Sequence, residues 1–389
     1  MHSIQTIQQE LQNRGMDAWL FCDHHHRDPI AYRILGLPES LMVTRRWYYF
    51  VPAHGLPLKL VHRIEAFHLD SLPGEKREYA AGVELTAQLK ELLGSVKNVA
   101  MQFSPNNLIF TISLVDAGTV DLVRSMGVNV VSSADLVAKL EAVWTPQQIA
   151  THFAARDSVD RITTAAFCEI GRRISAGGTT EFEIQQWLQE AFRREDLVSD
   201  APPLVAVNAN SSNPHYSPTA EHSSPIGRGD FVLLDIWAKK NVPDAVYYDI
   251  SWTGFAGTQA PDRIRDIFEI VRRSRDAGIQ KVQQTLVAGK KLAGWEVDKA
   301  SRDVLVAAGY GAYLNNRVGH SIGTEVHGNG AHMDNFEVHD EREVIPHTCF
   351  SIEPGIYLPE FGLRSEINML VNEDSAEVTG MIQQEVVVF

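Results

Sequence analysis

The chain of 389 residues has an apolar share of 44% and a charged share of 22%, typical of a globular protein, and at roughly 100–200 residues per domain it predicts two domains. The net charge of −14 argues against a nucleic-acid binder, which needs clustered Lys and Arg, and the three cysteines lack the paired spacing of a disulfide framework. No apolar run approaches the ~20 residues that span a bilayer, and the N-terminus lacks the pattern of a signal peptide, so we expect a cytoplasmic protein.

The first part of the chain alternates short apolar runs with helical patterns, which predicts an α/β layered domain. Strands are predicted at 17–21, 46–51, 58–61, 98–103 and 128–131, and helices at 84–93, 113–126 and 133–140. Thr145-Pro146 is a helix-start signal, since proline is favoured in the first turn. We therefore expect an N-terminal domain over residues 1–148 and a C-terminal domain over residues 149–389.

The second part of the chain has a different order of predicted elements, with long helices first and mostly strands and turns at the end. Helices are predicted at 146–172, 180–194, 261–286 and 295–308, and strands at 231–236, 246–253, 349–353, 364–371 and 385–389. A polar loop at 208–214 separates the early helices from the first buried-type strand. This order predicts a mixed domain whose last residues are mostly strands and turns.

Four carboxylates of the second domain lie inside strand-like apolar runs, where a structural carboxylate is not expected. They are Asp235, Asp249, Glu353 and Glu366, and His320 joins them in a turn flanked by glycines. Because burying an unpaired carboxylate is very costly, such groups are paired or bind a cation. Any one of them alone fits an edge or a turn, but together they predict a metal site.

The ligand types favour particular metals. One imidazole with four carboxylates is a hard, oxygen-rich set without a thiolate, which suits Mn²⁺ or Fe²⁺, with Co²⁺ and Zn²⁺ as alternatives. Two divalent ions would balance about four negative charges, whereas one would leave a large excess. We therefore expect two divalent metal ions, most readily manganese, roughly 3.5–4 Å apart as in other two-ion sites.

The same residues carry a resemblance to a known family. In order along the chain, five segments resemble the metal-ligand motifs of the pita-bread metallopeptidases, most closely the aminopeptidase P and prolidase branch: Leu234-Asp235-Ile236, Tyr248–Thr253, Gly319–Gly323, Ser351–Tyr357 and Arg364-Ser365-Glu366. The first domain is more loosely similar to the creatinase-type N-terminal domain. The resemblance implies a C-terminal domain with a curved antiparallel sheet covered by helices, and a homodimer.

The resemblance also assigns the metal ligands. Asp235 would bind one ion, Asp249 and Glu366 would bridge both ions, and His320 and Glu353 would bind the other. The implied reaction is hydrolysis of a proline-containing peptide at the Xaa-Pro bond, by aminopeptidase P or prolidase chemistry, through a hydroxide that bridges the two metals.

Further residues match the family's supporting positions. Glu353 would relay the proton, and His215 and His327 would donate hydrogen bonds to the substrate or to the oxyanion. Arg364, two residues before Glu366, could orient a metal-binding carboxylate.

Two departures from the family pattern stand out. Asp235 and Asp249 are 14 positions apart, three more than is usual in the family, and we expect the extra residues in a longer hairpin tip at 239–245. Asp244 in that tip is an alternative ligand, although the residues after Asp249 fit the motif better. Asn316 stands where the family often has a histidine four residues before the ligand histidine, which puts proton transfer there in doubt.

Two other functions fit the same fold. One is a creatinase-like or other small-molecule amide hydrolase, a branch that lacks the metal carboxylates, and the other is a catalytically inactive binding module, which loses ligands.

The run His24-His25-His26 is expected in a solvated loop, with the alternative that it reaches the active site of a second subunit, as such loops do in dimeric relatives. Surface loops are expected for four more histidines, of which the second or third could line the cleft mouth: His222, His332, His339 and His347.

Overall fold

A computed structural model describes residues 2–389 of the chain. The chain divides into two compact units, with the division between Glu141 and Ala142. The expected boundary after residue 148 falls slightly later, inside a helix that begins at Pro146 and belongs to the second unit. Among the described residues, no helix is both long and apolar enough to cross a membrane.

The first unit is an α/β structure, as the sequence predicts. Its helices are α1 (Ile4–Asn13), α2 (Pro29–Leu35), α3 (Gly82–Leu93), α4 (Ala117–Arg124) and α5 (Ala134–Val137), and its strands are β1 (Ala18–Asp23), β2 (Trp47–Pro52), β3 (Leu58–His62), β4 (Glu75–Tyr79), β5 (Asn98–Met101) and β6 (Asn129–Ser132). The strands form one sheet in the order β4-β3-β2-β1-β5-β6, in which β2 alone is antiparallel to its neighbours. Separate apolar clusters cover its two faces.

Two elements of the first unit were not predicted from the sequence. Helix α2 has only seven residues, and its ends are set by Asp28, which accepts a hydrogen bond from the Ala31 amide, and by Gly36 in the left-handed conformation. Strand β4 is charged and mostly exposed, because it is an edge strand that pairs only with β3. Helix α2 is apolar but too short to establish a helical period, and β4 has too few apolar residues to show an alternation.

The second unit is a mixed α+β structure. Its helices are α6 (Pro146–Ser175), α7 (Glu181–Arg194), α8 (Asp262–Val287) and α9 (Gly294–Ala307), and its strands are β7 (Thr179–Thr180), β8 (Leu197–Val198), β9 (Leu204–Val207), β10 (Pro225–Ile226), β11 (Phe231–Lys240), β12 (Tyr248–Phe255), β13 (Ser321–Ile322), β14 (Cys349–Ile352), β15 (Gly355–Tyr357), β16 (Gly362–Arg364), β17 (Ile367–Val371), β18 (Ala376–Val378) and β19 (Val387–Val388). The long predicted helices are all present within a few residues of their expected ends.

Two sheets of the second unit matter for the site. One has the order β19-β12-β11-β8 with β9 beside β11, and the other has the order β13-β14-β17-β18. Strand β12 alternates strictly: Tyr248 and Ile250 face the apolar core under α6 and α7, so Asp249, Ser251 and Thr253 face the opposite side. The polar side of β12 is where the candidate ligands gather.

Candidate metal centre

The hairpin of β11 and β12 places two of the predicted ligands on one face. Asp235 is paired with Ser251, and Trp237 with Asp249, so Asp235 and Asp249 are diagonal neighbours on the polar side. The longer connection lies beyond Lys240, as expected, and it leaves this register intact. Asp244 lies in that connection, exposed and with a φ of 58°, and therefore stays outside the group.

His320 is fixed by Ser351 of β14. Its main-chain N–H donates to the Ser351 hydroxyl at 3.0 Å, and its main-chain carbonyl accepts from the Ser351 N–H at 2.9 Å. Gly319 lies so close to this strand that a Cβ there would be 1.9 Å from the Ser351 carbonyl oxygen. The glycine before the histidine is therefore required by the close approach of two backbones.

Three predicted ligands converge in the interior of the second unit. Asp249, His320 and Glu366 are all buried, and each offers one ligand atom within 4.8 Å of the other two. Nε2 of His320 lies 3.5 Å from Asp249 Oδ2 and 3.4 Å from Glu353 Oε1. Glu366 Oε1 is buried without a hydrogen-bond partner among the described residues. An orphaned carboxylate oxygen beside two other ligand atoms fits a bound cation, because burial without a partner is costly.

The electrostatics of the group point the same way. Burial, and then the charge of Asp235, raise the pKa of Asp249 well above its usual value, and burial followed by the charge of Asp249 does the same for Glu366. Burial also raises the pKa of Glu353 and lowers that of His320. The carboxylates thus repel one another in a dry site, and burial disfavours protonation of the His320 imidazole. Divalent cations would relieve the repulsion, and the imidazole could bind one of them.

Asp235 is held by two side chains. Arg364 forms a buried ion pair with it, and although burial would lower the pKa of Arg364, the charge of Asp235 raises it. The Ser251 hydroxyl accepts a hydrogen bond from Arg364 Nε at 2.8 Å and lies 2.8 Å from both Asp235 Oδ1 and Glu366 Oε2. Arg364 and Ser251 therefore connect the carboxylate on β11 to the carboxylate that precedes β17.

The two predicted supporting histidines lie differently with respect to the group. The His327 ring meets the His320 ring edge to face, with centroids 4.3 Å apart. The charge of His320, the largest cause, lowers the pKa of His327, and His215 contributes to the same shift, so it lies within electrostatic range. His215 itself is exposed directly after the polar loop, and its main-chain N–H donates to the Asn213 side chain. Asn316 is half-buried, and its main-chain carbonyl accepts a hydrogen bond from Arg302.

One histidine was placed wrongly from the sequence, and two serines were missed. His332 was expected in a surface loop, but it is 4% exposed, and its Nδ1 accepts a hydrogen bond from the Ser321 N–H at 3.0 Å. The amide of β13 needs this acceptor once it is buried, which no local pattern shows. Ser251 and Ser351 were not singled out either, because a serine two residues from an acidic residue carries no distinctive signal.

Solved structures resemble the chain over nearly its whole length. Dipeptidase PepE from Mycobacterium ulcerans has a TM-score of 0.69 at 22% identity, covering 99% of this chain and 96% of that chain. Prolidase from Pyrococcus horikoshii OT3 has a TM-score of 0.63 at 19% identity, covering 99% of both chains. At this identity the likeness concerns the fold alone, and it confirms the predicted pita-bread architecture with an α/β N-terminal part.

Sequence comparison supplies the family. A Xaa-Pro dipeptidase from Lactobacillus helveticus is 30% identical over 250 residues, which are 63% of this chain and 61% of that protein, so the chain spans about three-fifths of the relative's length. Residues 157–373 match the model of Metallopeptidase family M24, and this stretch contains all five predicted ligands. Because the match covers more than half of the sequence, the chain belongs to metallopeptidase family M24.

Proposed function

We propose that the chain is a metal-dependent peptidase that hydrolyses Xaa-Pro bonds. The observation that carries the proposal is the buried group of Asp249, His320 and Glu366, whose ligand atoms converge and which includes a carboxylate oxygen without a hydrogen-bond partner. A buried acidic group of this kind fits a cation site far better than a structural role. Membership of a metallopeptidase family supports the same conclusion.

The proposed ligand set extends beyond the converging three. Glu353 lies beside His320, and Asp235 approaches the Ser251 hydroxyl that Glu366 also contacts, so both carboxylates border the same space. Five ligands with four carboxylates would hold two divalent ions, and the oxygen-rich set favours manganese. When bound, such ions supply Lewis acidity, which polarises a carbonyl and makes water a stronger acid.

The chain's own residues have distinct tasks in the proposed reaction. Glu353 accepts the proton that water loses on attack, since its carboxylate lies at the edge of the ligand group, 3.4 Å from the His320 ring and from the Ser351 hydroxyl. His327, next to His320, donates a hydrogen bond to the oxygen of the scissile carbonyl as negative charge develops on it. Arg364 orients Asp235 through the ion pair and through the contact with Ser251.

The preference for proline is supported by relatives and not by an identified pocket. Proteins named Xaa-Pro dipeptidase in Lactobacillus helveticus and Pyrococcus furiosus are 30% and 26% identical to the matched parts of this chain. A peptide bond to proline is a tertiary amide beside a rigid ring, so a site that accepts it must fit that ring. We propose that the present site does so.

A substrate panel tests the proposal. The purified protein is assayed with Xaa-Pro dipeptides, Xaa-Pro-Yaa tripeptides and matched peptides without proline, after loading with Mn²⁺, Co²⁺ or Zn²⁺. We expect metal-dependent cleavage of the proline peptides alone, and a loss of about 10²-fold or more for Glu353→Gln. Glu377→Gln, an exposed carboxylate on β18, is the matched control and should keep full activity. Equal activity of the Glu353 variant, or cleavage that ignores proline, would contradict the proposal.

A further inference from the structure

On the edge of β12 that faces away from β11, main-chain groups are hydrogen-bonded partly by side chains instead of by a strand. One edge of the strand pairs with β11, and β19 covers the other edge only at Gly254 and Phe255. Among residues 2–389, no strand pairs with the preceding part of that edge, which carries Asp249. Because buried main-chain groups need hydrogen bonds, something else must bond them there.

Two side-chain amides take the place of a neighbouring strand. Asn368 Oδ1 accepts from the Asp249 N–H at 2.9 Å, and Asn368 Nδ2 donates to the Asp249 carbonyl at 2.5 Å. Four residues along β12, Gln383 repeats the arrangement, with Oε1 accepting from the Thr253 N–H at 3.0 Å and Nε2 donating to the Thr253 carbonyl at 2.6 Å. Each amide offers one acceptor and one donor, as a strand residue would.

The pair of hydrogen bonds between the Asn368 amide and the Asp249 main chain lies where the two sheets of the unit meet. The main chain of Asn368 belongs to the other sheet, where it is opposite Ser351 and accepts from the Thr379 N–H at 3.1 Å. Its side chain alone reaches β12. Two residues before Asn368, the Glu366 N–H donates to the Ser251 carbonyl at 3.2 Å. Glu366 thus contacts Ser251, and Asn368 contacts Asp249, which is the register of an antiparallel strand pair.

This junction joins two of the proposed ligands. Asp249 is on β12 and Glu366 immediately precedes β17, so their separation depends on how the two strands are held together. Asn368 is fully buried and bonds the main chain of the first ligand from a position two residues after the second. We propose that Asn368 is a positioning residue that sets the distance between Asp249 and Glu366, and thereby the affinity of the site for its metal. This inference rests on the proposed function, because it presupposes that the two carboxylates bind metal.

Gln383 provides an internal control, since it makes the same contacts at a residue that is not a proposed ligand. Asn368→Leu and Gln383→Met each replace an amide by an apolar side chain of similar size and leave one N–H and one carbonyl of β12 unbonded. Both variants should unfold at a lower temperature. Only Asn368→Leu should weaken Mn²⁺ binding, by about 10–100-fold, as expected for a residue that orients a ligand.

The experiment is calorimetric titration of the metal-free chain and its variants with Mn²⁺, together with hydrogen exchange of the Asp249 amide. We expect faster exchange of that amide in Asn368→Leu and unchanged exchange in Gln383→Met. Asn368→Ala, which leaves room for water at the Asp249 main chain, is the milder second variant should Asn368→Leu fold poorly, and it should weaken binding in the same direction.

The outcomes separate the two proposals. If the unaltered chain does not bind Mn²⁺, the metal site itself is contradicted. If it binds and the Asn368 variants bind equally well, the positioning role is overturned while the proposed function stands. If Gln383→Met weakens binding as much as the Asn368 variants, the effect is a general loosening of β12, and the specific role of Asn368 is overturned.

Discussion

The imidazole of His327 meets the imidazole of His320 edge to face, with ring centroids 4.3 Å apart and an angle of 85° between the rings. His320 is buried within the proposed ligand group, whereas His327 is exposed and lies next to it. The charge of His320, the largest cause, lowers the pKa of His327. Near neutral pH His327 is therefore a neutral ring whose N–H can donate one hydrogen bond.

This arrangement predicts a separation of catalysis from metal binding. His327→Ala should lower kcat/KM for Xaa-Pro peptides by about 10²–10³-fold, as the loss of one donor to a developing oxyanion does, while metal content stays that of the unaltered protein. Steady-state kinetics and metal analysis on the same preparation measure both quantities. His222→Ala removes an exposed histidine that precedes β10 and serves as the control. A parallel loss of metal would show that His327 is a ligand and not a donor.

The buried pair of Arg364 and Asp235 predicts a large effect on stability. Replacing Arg364 by Met leaves Asp235 without its cation, and breaking a buried pair from one side costs about 3–5 kcal/mol. Denaturant unfolding of the metal-free protein measures the loss. Adding Asp235→Asn removes the uncompensated charge, so the double variant should recover part of the stability. A single variant as stable as the unaltered chain would mean that the ion pair contributes nothing.

Much of the fold follows from local patterns in the sequence. The run from Phe231 to Ile236 predicts β11, and the capping signal Thr145-Pro146 predicts the start of α6, where the Thr145 hydroxyl accepts from the Gln148 N–H at 3.2 Å. Helix α2 and strand β4 are not predicted, because α2 is only seven residues long and β4 is an exposed, charged edge strand. The β11–β12 connection lies between Lys240 and Tyr248, close to the tip predicted at 239–245.

The candidate site likewise contains residues that local sequence motifs reveal and residues that they do not. His320, Glu353 and Glu366 lie in short motifs that can be recognised from sequence alone. Asn368 contacts Asp249 across 119 residues of sequence, and Ser251 contacts Glu366 across 115. No short stretch of sequence contains both partners of either interaction. Such residues could be found only once the register of both sheets was known, because side-chain partners across a sheet junction leave no period in the sequence.

The mutual repulsion of the buried carboxylates predicts opposite effects of one substitution. Asp249→Asn should raise the melting temperature of the metal-free protein, because burial and the charge of Asp235 make the ionised carboxylate unfavourable there. It should also abolish most of the stabilisation by Mn²⁺, which for a site saturated at 100 times its Kd is about 2.7 kcal/mol. Thermal unfolding with and without Mn²⁺ measures both effects.

Asp244→Asn is the matched control for this substitution. Asp244 is exposed in the β11–β12 connection, and asparagine tolerates its positive φ, so the variant should keep the melting temperature and the metal response of the unaltered chain. Loss of the metal response in Asp244→Asn with retention in Asp249→Asn would reverse the assignment of the second aspartate ligand.

A buried histidine on α6 predicts the acid sensitivity of the second unit. His152 on α6 is fully buried, and its Nδ1 lies 2.7 Å from the Tyr247 carbonyl oxygen and its Nε2 2.8 Å from the Thr379 hydroxyl. A neutral imidazole can form both hydrogen bonds, with Nδ1–H donating to the Tyr247 carbonyl and Nε2 accepting from the Thr379 hydroxyl. Burial is the main cause that lowers the pKa of His152 from 6.5 to about 4.

The sign of the effect follows from proton uptake. The unfolded chain binds a proton at His152 below about pH 6.5, while the folded chain does so only near pH 4, so this stabilising contribution is present above pH 6.5 and is lost as the pH falls. Between pH 7 and pH 5 the loss is about 2 kcal/mol in the free energy of unfolding. His152→Gln, whose amide can both donate and accept, should show a correspondingly smaller pH dependence in urea unfolding, and His222→Gln should behave as the unaltered chain. Because the carboxylates titrate alike in all three proteins, identical pH dependence of His152→Gln and the unaltered chain would show that His152 is not kept neutral by the fold.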